Sequence, residues 1–512
     1  MAEELFWGGP SREPYPPLTT DLTTEVAVIG GGIAGASTAW ELAQSGRDVV
    51  LLERDRVGHG VTGRSAGKVS VLQGDRFSRL EQSQGARVAT MYAESQLLAM
   101  QHLTEIVNTL HIDCALEHRP GFLFAEGADE LDLLTAEVTA ARRTGINVQQ
   151  SLESGLPFPV AGVACLDNQI EFDPLAYTEA LTEDLVRAGG SAFEKTEVVG
   201  LHQGTPHAVT TAAGRRVYAD HVVVATQFPV FDRALLFPRL HPRREFVLTG
   251  DAGDLDLLGT YISVGSEVRS ARTAGRAGQR HLVVTGTPFP PGLNRAADRL
   301  AELREWADSR FASPRWTTSW AAQDYETPDR LPFIGPLHPF SKRLWVATGF
   351  GGWGIGNGVL AGIMLRDLVE GREPAYDSIF HTRRIAPVSE AKSLALGSTR
   401  LARHWIGARV RARICGADHP AEIGPGEAAY LRGGGVWAAY RDPDGDAHVV
   451  SAACTHHGCL VCFNDVETTW ECPCHGSRFS VDGDVLQGPA TAPLEPHPTL
   501  HESDSTSGSG LR

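Results

Sequence analysis

Cysteine and histidine residues are concentrated near the C-terminus in two short motifs that could bind a metal centre. Five of the eight cysteines lie between residues 454 and 474, where Cys454-Thr-His456 and Cys472-Pro-Cys474-His475 are separated by 15 residues. Thiolate and imidazole groups are ligands that iron and zinc favour in proteins. Cysteines interleaved with histidines, in a chain without a secretory signal, indicate metal binding before a disulfide framework. The sequence therefore predicts a metal site formed by two neighbouring loops.

The order of these ligands, Cys-x-His followed by Cys-x-x-His, resembles that of Rieske [2Fe–2S] proteins. The resemblance implies that Cys454 and Cys472 bind one iron of the cluster and that His456 and His475 bind the other. A zinc site with two cysteines and two histidines is the alternative, although zinc modules usually space their ligands as C-x2–4-C and H-x3–5-H. We expect the [2Fe–2S] cluster.

Two further features belong to the same resemblance. Cys459 and Cys474 occupy the positions of a cysteine pair that forms a disulfide between the two cluster loops in respiratory Rieske proteins. Gly488-Pro489-Ala490 resembles the proline loop that shields the cluster. We therefore expect the Cys459–Cys474 disulfide, and a Rieske domain that extends from about residue 414 to residue 500.

A second chemical motif lies near the N-terminus and predicts a dinucleotide site. The apolar run 25–29 predicts a buried strand, residues 36–45 a helix, and residues 48–52 a second strand that ends at Glu53. Between the first strand and the helix lies a G-x-G-x-x-G turn, which brings the backbone and the helix N-terminus close to a pyrophosphate. The acid after the second strand would bind ribose hydroxyls. The predicted contacts are Gly30, Gly32, Ile33, Ala34, Gly35 and Glu53.

The segment after Glu53 identifies the dinucleotide as FAD by resemblance. Residues 54–68 include Thr62-Gly63-Arg64-Ser-Ala-Gly-Lys68 and resemble the Gly/Ser/Thr-rich loop that the glycine/D-amino-acid oxidase family lays along FAD. Segments that match the same family in order are 169–174, 197–199, 219–226, 329–336 and 347–354. The resemblance covers about residues 23 to 375 and implies further FAD contacts from Arg54, Thr62, Gly63 and Val198.

Residues 349–354 form another G-x-G-x-x-G match, which could indicate a separate nicotinamide domain. It follows a predicted strand, 344–347, and precedes a predicted helix, 358–368, but no second strand ending in an acid comes after it. We therefore interpret it as the family's helix N-terminus that points at the flavin and stabilises its reduced, anionic form. Electrons would then enter from a substrate. The flavin contacts predicted here are Gly349, Gly352, Trp353 and Gly354.

We expect FAD to be bound non-covalently. Some family members attach the flavin through a cysteine near the C-terminal glycine-rich stretch, or through a histidine in the N-terminal loop. This chain has no cysteine between Cys165 and Cys415, and Arg64 occupies the position of that histidine.

The expected fold combines three parts. An α/β FAD-binding Rossmann-like domain of the glutathione-reductase type is interleaved with an α+β substrate domain built on an antiparallel sheet, and an all-β Rieske domain follows. The predicted boundaries are an N-terminal arm 1–22, an FAD-binding domain 23–75, 161–240 and 326–375, a substrate domain 76–160 and 241–325, a linker 376–413, the Rieske domain 414–500 and a disordered tail 501–512.

Composition and charge restrict the partners. A net charge of −16 over 512 residues disfavours nucleic acid and anionic membrane surfaces. The N-terminus lacks the basic and apolar regions of a signal peptide, and the uncharged run 344–365 is interrupted by seven glycines, which disfavours a membrane span. We therefore expect a cytoplasmic protein without nucleic-acid or membrane partners.

The leading functional hypothesis is an FAD-dependent oxidoreductase fused to its own electron acceptor. The family resemblance implies oxidation of an amine or amino acid to an imine by hydride transfer to FAD. The cluster would pass electrons one at a time to an external acceptor, which could be a ferredoxin-like protein, a quinone or oxygen. Arg272 and Arg330 are candidates for holding a substrate carboxylate, although in so arginine-rich a chain a solvated or structural role is the favoured interpretation of each.

Three alternatives use the same residues differently. A flavin oxidase would reduce oxygen directly and keep the cluster as a structural or sensing element, with Lys68 near the flavin as the cation that stabilises superoxide. A non-enzymatic redox carrier or sensor would lack turnover. A Rieske oxygenase is disfavoured, because those proteins resemble an N-terminal Rieske domain followed by a mononuclear iron domain, whereas here the cluster motif is C-terminal.

Overall fold

The computed structural model of the 512-residue chain describes most of the N-terminal region, where FAD binding is predicted, and most of the predicted Rieske domain. The described residues are 5–8, 12–151, 153–231, 236–265, 267–276, 279–293, 295–312, 314–338, 340–384, 416–432 and 436–497. Most of the predicted linker 376–413 and all of the predicted tail 501–512 lie outside them.

The helices are α1 (Ile33–Gln44), α2 (Arg76–Gln84), α3 (Ala86–Leu110), α4 (Leu131–Arg143), α5 (Pro174–Arg187), α6 (Ala296–Arg310), α7 (Gly354–Val369) and α8 (Asp377–Phe380). The strands are β1 (Leu22–Ile29), β2 (Val49–Leu52), β3 (Lys68–Val69), β4 (Glu117–Ala125), β5 (Gln149–Ser151), β6 (Gly162–Glu171), β7 (Ser191–Phe193), β8 (Val198–His202), β9 (His207–Thr211), β10 (Arg216–Val224), β11 (His241–Asp251), β12 (Thr260–Ser263), β13 (Ser270–Arg276), β14 (Gln279–Phe289), β15 (Arg315–Glu326), β16 (Phe333–Pro336), β17 (Leu344–Thr348), β18 (Ala428–Leu431), β19 (Trp437–Arg441), β20 (Ala447–Ser451), β21 (Cys462–Asn464), β22 (Thr469–Glu471), β23 (Arg478–Phe479) and β24 (Val485–Gln487).

The contacts divide the chain into two compact units. The first contains the described residues of 1–288 and 301–390, so that the predicted FAD-binding and substrate domains form one unit. The second contains those of 289–300 and 391–512. Residues 289–300, which the predicted boundaries assign to the substrate domain, therefore group with the C-terminal unit.

The first unit contains an eight-stranded, mostly parallel sheet with the path β16-β17-β10-β1-β2-β7, in which β9 also pairs with β10 and β8 pairs with β9. Along β1, Val26 and Val28 pack into one apolar core, while Ala27 and Ile29 pack into the core on the opposite face. Both faces of a parallel strand are covered in this way, which explains why the strand is a continuous apolar run without alternation. The predicted strands 25–29, 48–52 and 344–347 and the helices 36–45 and 358–368 are confirmed, with α1 and α7 beginning three or four residues earlier.

Helices α1 and α7 pack closely through glycine. A Cβ added at Gly358 would lie 2.8 Å from Ile33 Cγ2, and one added at Gly362 would lie 2.9 Å from the backbone of Ser37. Because 358 meets 33 and 362 meets 37, the two helices run in the same direction. Their N-termini therefore lie at the same end of the sheet, where each follows a glycine-rich turn.

The second sheet of this unit has nine strands in the order β15-β11-β14-β13-β12-β4-β6-β3, with β5 paired to β6. The β15–β11, β14–β13, β13–β12, β4–β6, β6–β3 and β5–β6 pairs are antiparallel, and β12 is parallel to β4. This sheet includes the predicted strands 261–264 and 281–286. The parallel β12–β4 pair departs from the predicted antiparallel arrangement.

The C-terminal unit is built from two small antiparallel sheets, β18-β19-β20 and β21-β22-β23-β24. Its core contains Trp470, Phe479, Leu460 and Val461, all buried, together with the cysteines of the two predicted metal-binding motifs. The described part of this unit is thus the expected all-β domain.

No helix among the described residues combines the length and the apolar character needed to cross a bilayer. The uncharged run 344–365 is divided between β17, a glycine turn and α7.

Candidate functional site

The turn between β1 and α1 and the first turn of α1 each require a glycine, Gly30 and Gly35. Gly30 has φ 102°, and a Cβ there would lie 2.6 Å from the carbonyl oxygen of Ala225. At Gly35, a Cβ would lie 1.8 Å from the oxygen of Gly30. These two glycines bring β1, β10 and the start of α1 together and thereby shape the turn.

Gly32 has a different role, because space rather than protein lies in front of it. Its backbone is extended (φ −76°, ψ −178°), and an added Cβ would meet only Thr62 Oγ1, at 3.3 Å. The Thr62 hydroxyl accepts the N–H of Ile33 at 3.0 Å and so fixes the loop 62–68 to the first residue of α1. Gly32 is the N-cap residue of α1 and has no side chain, so the space in front of it stays open, whereas a Cβ would fill it. Such a cradle of open space at a helix N-terminus fits the pyrophosphate of FAD.

Glu53 lies at the end of β2, as the motif predicts. Its carboxylate accepts the N–H of Gly31 at 2.6 Å and that of Asp55 at 2.8 Å, so it closes the turn from the side. Burial raises the pKa of Glu53. Arg54 beside it is partly exposed, and Val198 is buried at the start of β8. Ribose and adenine contacts by these residues stay predictions.

The turn before α7 lies at the same end of the sheet as the turn before α1. Gly349, Gly351 and Gly352 have φ of 75°, 61° and 87°. The Asp324 carboxylate accepts the N–H of Gly352 at 2.6 Å, and burial raises the pKa of Asp324 to about 6. Helix α7 begins at Gly354 without a side-chain cap, so its positive end is available to a ligand.

Lys68 is the first residue of β3 in the nine-stranded sheet, and its side chain lies near this turn. Its ammonium is 6.0 Å from the centre of the Trp353 ring and donates to Ser270 Oγ at 2.6 Å. The structure therefore brings together Lys68 and Trp353, two of the residues that the sequence predicted separately.

The two candidate carboxylate-binding arginines are engaged with acids of this chain. Arg272 is paired with Glu171 at 2.9 Å, and the two side chains are 4% and 6% exposed. Arg330 is paired with Asp75 at 2.6 Å and Glu326 at 3.6 Å, and is about a third exposed. A substrate carboxylate would have to compete with these acids, so the structure favours a structural role for both arginines.

Replacing Arg272 by alanine is therefore expected to affect stability more than substrate affinity. Removing one member of a buried ion pair leaves the Glu171 carboxylate without its guanidinium partner and costs about 3–5 kcal/mol of the free energy of unfolding. Arg330→Ala is the control, because exposed pairs contribute about 1 kcal/mol or less. Chemical denaturation measures both. A stable Arg272→Ala variant whose only defect is a raised KM would contradict this role.

The N-terminal arm supports the FAD loop, which no periodic pattern in the sequence indicates. Leu5, Phe6 and Trp7 are buried, and the Trp7 indole donates to the carbonyl of Ser65 at 2.7 Å. The guanidinium of Arg272 lies 5.3 Å from the centre of the Trp7 ring. The start of the arm thus packs beneath residues 62–68 and limits their positions.

The two cysteine–histidine motifs of the C-terminal unit form matching loops. In each loop, a glycine N–H donates to the carbonyl of the cysteine four residues earlier, and that cysteine's own N–H donates to a carbonyl five residues later. The pairs are Gly458–Cys454 (2.7 Å) and Cys454–Cys459 (2.8 Å) in the first loop, and Gly476–Cys472 (2.9 Å) and Cys472–Ser477 (2.8 Å) in the second.

These loops bring the four predicted ligands together. The Cys472 thiol hydrogen-bonds to Cys454 and lowers the pKa of the Cys454 thiol to about 7. The rings of His456 and His475 are 5.0 Å apart, and burial lowers the pKa of His456 to about 3, which leaves its imidazole in the neutral form that binds metals. Two buried thiols beside two imidazoles are the donor set of a Rieske cluster.

The structure contains the expected disulfide between Cys459 and Cys474, which joins the two loops. The buried Ser477 hydroxyl accepts the N–H of Ala490 at 3.0 Å, so the predicted proline loop is attached to the second ligand loop. His457, which follows the predicted ligand His456, is exposed, and its ring lies 3.9 Å from that of His456.

Comparisons with known proteins agree with the predicted FAD-binding region and with the predicted Rieske domain. The family model for FAD dependent oxidoreductases (DAO) matches residues 25–368, and the Rieske [2Fe-2S] domain model matches residues 415–498. A putative Rieske 2Fe-2S iron-sulfur protein, YhfW of Bacillus subtilis, is 31% identical over 500 residues, which are 96% of this chain and 97% of that protein.

Two further relatives match the N-terminal part. The gamma-glutamylputrescine oxidoreductase of Escherichia coli is 27% identical over 402 residues, 71% of this chain and 88% of that protein. The crystal structure of glycine oxidase from Geobacillus kaustophilus superposes with a TM-score of 0.59 at 25% identity, covering 71% of this chain and 99% of that chain. The interleaved two-domain fold is thus shared with flavoenzymes, and the C-terminal addition is shared with YhfW.

Proposed function

Because the chain belongs to the DAO family of FAD-dependent oxidoreductases and carries a C-terminal Rieske [2Fe–2S] domain, we propose that it oxidises the C–N bond of an amine or amino acid and delivers the electrons through the cluster to an external acceptor. When bound, FAD would accept the hydride from the C–H bond of the carbon attached to the nitrogen, and the cluster would carry electrons singly. The observation that carries the proposal is the presence of both a pyrophosphate cradle at Gly32 and the Cys454/Cys472 ligand loops in one chain.

The residues of the first unit would bind and orient the cofactor. The Gly32 cradle would hold the pyrophosphate, with the Thr62 hydroxyl fixing the adjacent loop to α1. The N-terminus of α7 would face the flavin ring, and its positive end stabilises negative charge there. Asp324 keeps the turn before α7 in place through its bond to Gly352.

The amine class is supported by the names of three relatives. One is named a gamma-glutamylputrescine oxidoreductase and others are named glycine oxidases, and each of these substrates contains an amine nitrogen. The ion pairs of Arg272 and Arg330 support a preference within that class, because a substrate carboxylate would have to compete with the acids that already pair with both arginines. We therefore expect amines without an adjacent carboxylate to be better substrates than α-amino acids.

An anaerobic substrate panel tests this proposal. Oxidised holoenzyme is mixed with γ-glutamylputrescine, putrescine, glycine, sarcosine and proline in turn, and the flavin absorbance is followed. We expect at least one amine to bleach the flavin and to yield the corresponding aldehyde after imine hydrolysis. Bleaching by alcohols or hydroxy acids, with no response to any amine, would contradict the proposal.

Oxygen as the direct acceptor is a second candidate, favoured by the position of the Lys68 ammonium 6.0 Å from the Trp353 ring. A cation beside a flavin stabilises superoxide. Stoichiometric peroxide, formed as fast as the amine is consumed and with the cluster staying oxidised, would favour this candidate over the relay.

A further inference from the structure

A continuous chain of hydrogen bonds links Lys68 on β3 to Glu245 on β11 of the same nine-stranded sheet. Lys68 Nζ donates to Ser270 Oγ at 2.6 Å, Ser270 Oγ lies 2.8 Å from Thr285 Oγ1, and Thr285 Oγ1 donates to Glu245 Oε1 at 3.0 Å. The chain crosses from β3 through β13 and β14 to β11. None of these contacts is needed for the family's FAD turn or for the cluster.

The hydrogen bonds all point the same way. An ammonium can only donate and a carboxylate can only accept, so the Ser270 hydroxyl donates to Thr285, and Thr285 donates to Glu245. Ser270 and Thr285 are buried, whereas the Glu245 side chain is 28% exposed. The arrangement therefore connects the partly buried Lys68 amine to a carboxylate that can exchange protons with water.

Charged groups on several elements face Lys68. Glu171 is its register partner on β6, Arg272 lies on β13, and Glu245 lies on β11. Burial lowers the pKa of Lys68 to about 8, with Glu245 opposing that shift. Arg243 lies 3.7 Å from Glu245 and neutralises part of its charge. A neutral Lys68 amine is therefore accessible near neutral pH, as a base requires.

We propose that Lys68 is the acid–base group that accepts the proton of an ammonium substrate, and that Ser270 and Thr285 pass this proton to Glu245. The inference rests on the proposed amine oxidation. The N–H bond of the substrate ammonium breaks as an N–H bond forms at Lys68 Nζ. A proton then moves along the two hydroxyls to the Glu245 carboxylate, which releases it to water. No electrons move in these steps, which leave the amine neutral and ready for C–N oxidation.

The first test follows the protonation of Lys68 directly and needs no substrate. The chain has four lysines, so oxidised holoenzyme labelled with ¹³Cε-lysine gives few NMR signals, and the loss of one in Lys68→Met assigns it. We expect the Lys68 signal to titrate with a midpoint about 2 units below the usual lysine value of about 10.4.

Glu245→Gln should move this midpoint lower still, because it removes the carboxylate that stabilises the ammonium. Glu302→Gln, which removes a substrate-domain acid paired with Arg269 instead, is the control and should not move it. A Lys68 signal that titrates with the other lysines, or a midpoint unchanged in Glu245→Gln, would overturn the proposal.

The second test measures the anaerobic reduction of the flavin by the best amine of the panel across pH. The wild-type rate constant at low amine concentration should rise through about pH 8. Lys68→Met should lower it about 10²–10⁴-fold and abolish that rise. Thr285→Val should slow the reaction and weaken the pH dependence, whereas Thr249→Val, a buried threonine of the same sheet that contacts Thr317, should not.

The outcomes separate this inference from the function on which it rests. If no amine reduces the wild-type flavin, the proposed function fails, while the NMR titration still decides whether Lys68 and Glu245 are coupled. If Lys68→Met slows only the reaction of reduced enzyme with oxygen and leaves the amine half-reaction and its pH profile intact, the base role is wrong and Lys68 serves oxygen.

Discussion

Replacing Cys472 by serine is expected to remove the iron–sulfur cluster while leaving FAD bound. Cys472 is buried beside Cys454 and supplies one of two thiols in the donor set, and serine oxygen is a much poorer ligand than thiolate for this type of centre. Iron content should fall from about two atoms per chain to background, and the visible absorbance of the cluster should vanish. The FAD cradle belongs to the other compact unit, so flavin content should stay near that of the wild type.

Cys462→Ser is the matched control for this experiment. Cys462 lies in the same unit, on β21, and its sulfur is 3.8 Å from the Tyr430 hydroxyl. It is not one of the four predicted ligands, so Cys462→Ser should keep both irons. Equal iron loss in the two variants would indicate general instability of the domain, and a Cys472→Ser variant with full iron content would refute the ligand assignment.

Replacing Gly32 by valine is expected to abolish FAD binding without unfolding the protein. The extended backbone at Gly32 suits any residue, and an added Cβ meets only the Thr62 hydroxyl, at 3.3 Å. The side chain would instead occupy the space assigned to the pyrophosphate. We expect the affinity for FAD to fall at least a hundredfold, which corresponds to about 3 kcal/mol. Fluorescence titration of apoprotein with FAD measures the affinity, and circular dichroism checks the fold.

Two other glycines distinguish a binding defect from a folding defect. Gly60→Val is the control, because a Cβ at the exposed Gly60 meets nothing within 4 Å, and it should bind FAD normally. Gly35→Ala should destabilise the protein itself, since its Cβ would lie 1.8 Å from the oxygen of Gly30. If Gly32→Val binds FAD as tightly as Gly60→Val does, the pyrophosphate does not lie at the start of α1.

The features that could be predicted from the sequence are local ones. The turn at Gly30–Gly35, the acid at the end of β2 and the spacing of the Cys454 and Cys472 motifs each depend on residues close together in the chain. The strand and helix positions around them follow from continuous apolar runs and helical periodicity, and they agree with the structure to within a few residues. Local sequence determines these features because turn geometry and ligand spacing restrict the residue types directly.

The contacts that could not be predicted join residues far apart. Arg272 pairs with Glu171 across 101 positions, and Lys68 reaches Ser270 across 202. Such pairs depend on the order of strands in the nine-stranded sheet, which no single segment encodes. The arm residues Leu5–Trp7 show the same limit, since three apolar residues without a period do not reveal what they cover. Arg272 and Arg330 could be proposed as carboxylate-binding residues because they are arginines. Only the folded structure shows that each is paired with an acid of this chain.

The most direct test of the central claim is electron paramagnetic resonance of the holoenzyme under anaerobic conditions. The oxidised protein is titrated with the amine that bleaches its flavin, and samples are frozen at each addition. We expect a rhombic Rieske signal that grows as the amine is consumed, with iron present and zinc absent by metal analysis. A fully bleached flavin beside a cluster that stays oxidised would contradict the electron relay, and zinc in place of iron would contradict the assignment of the cluster.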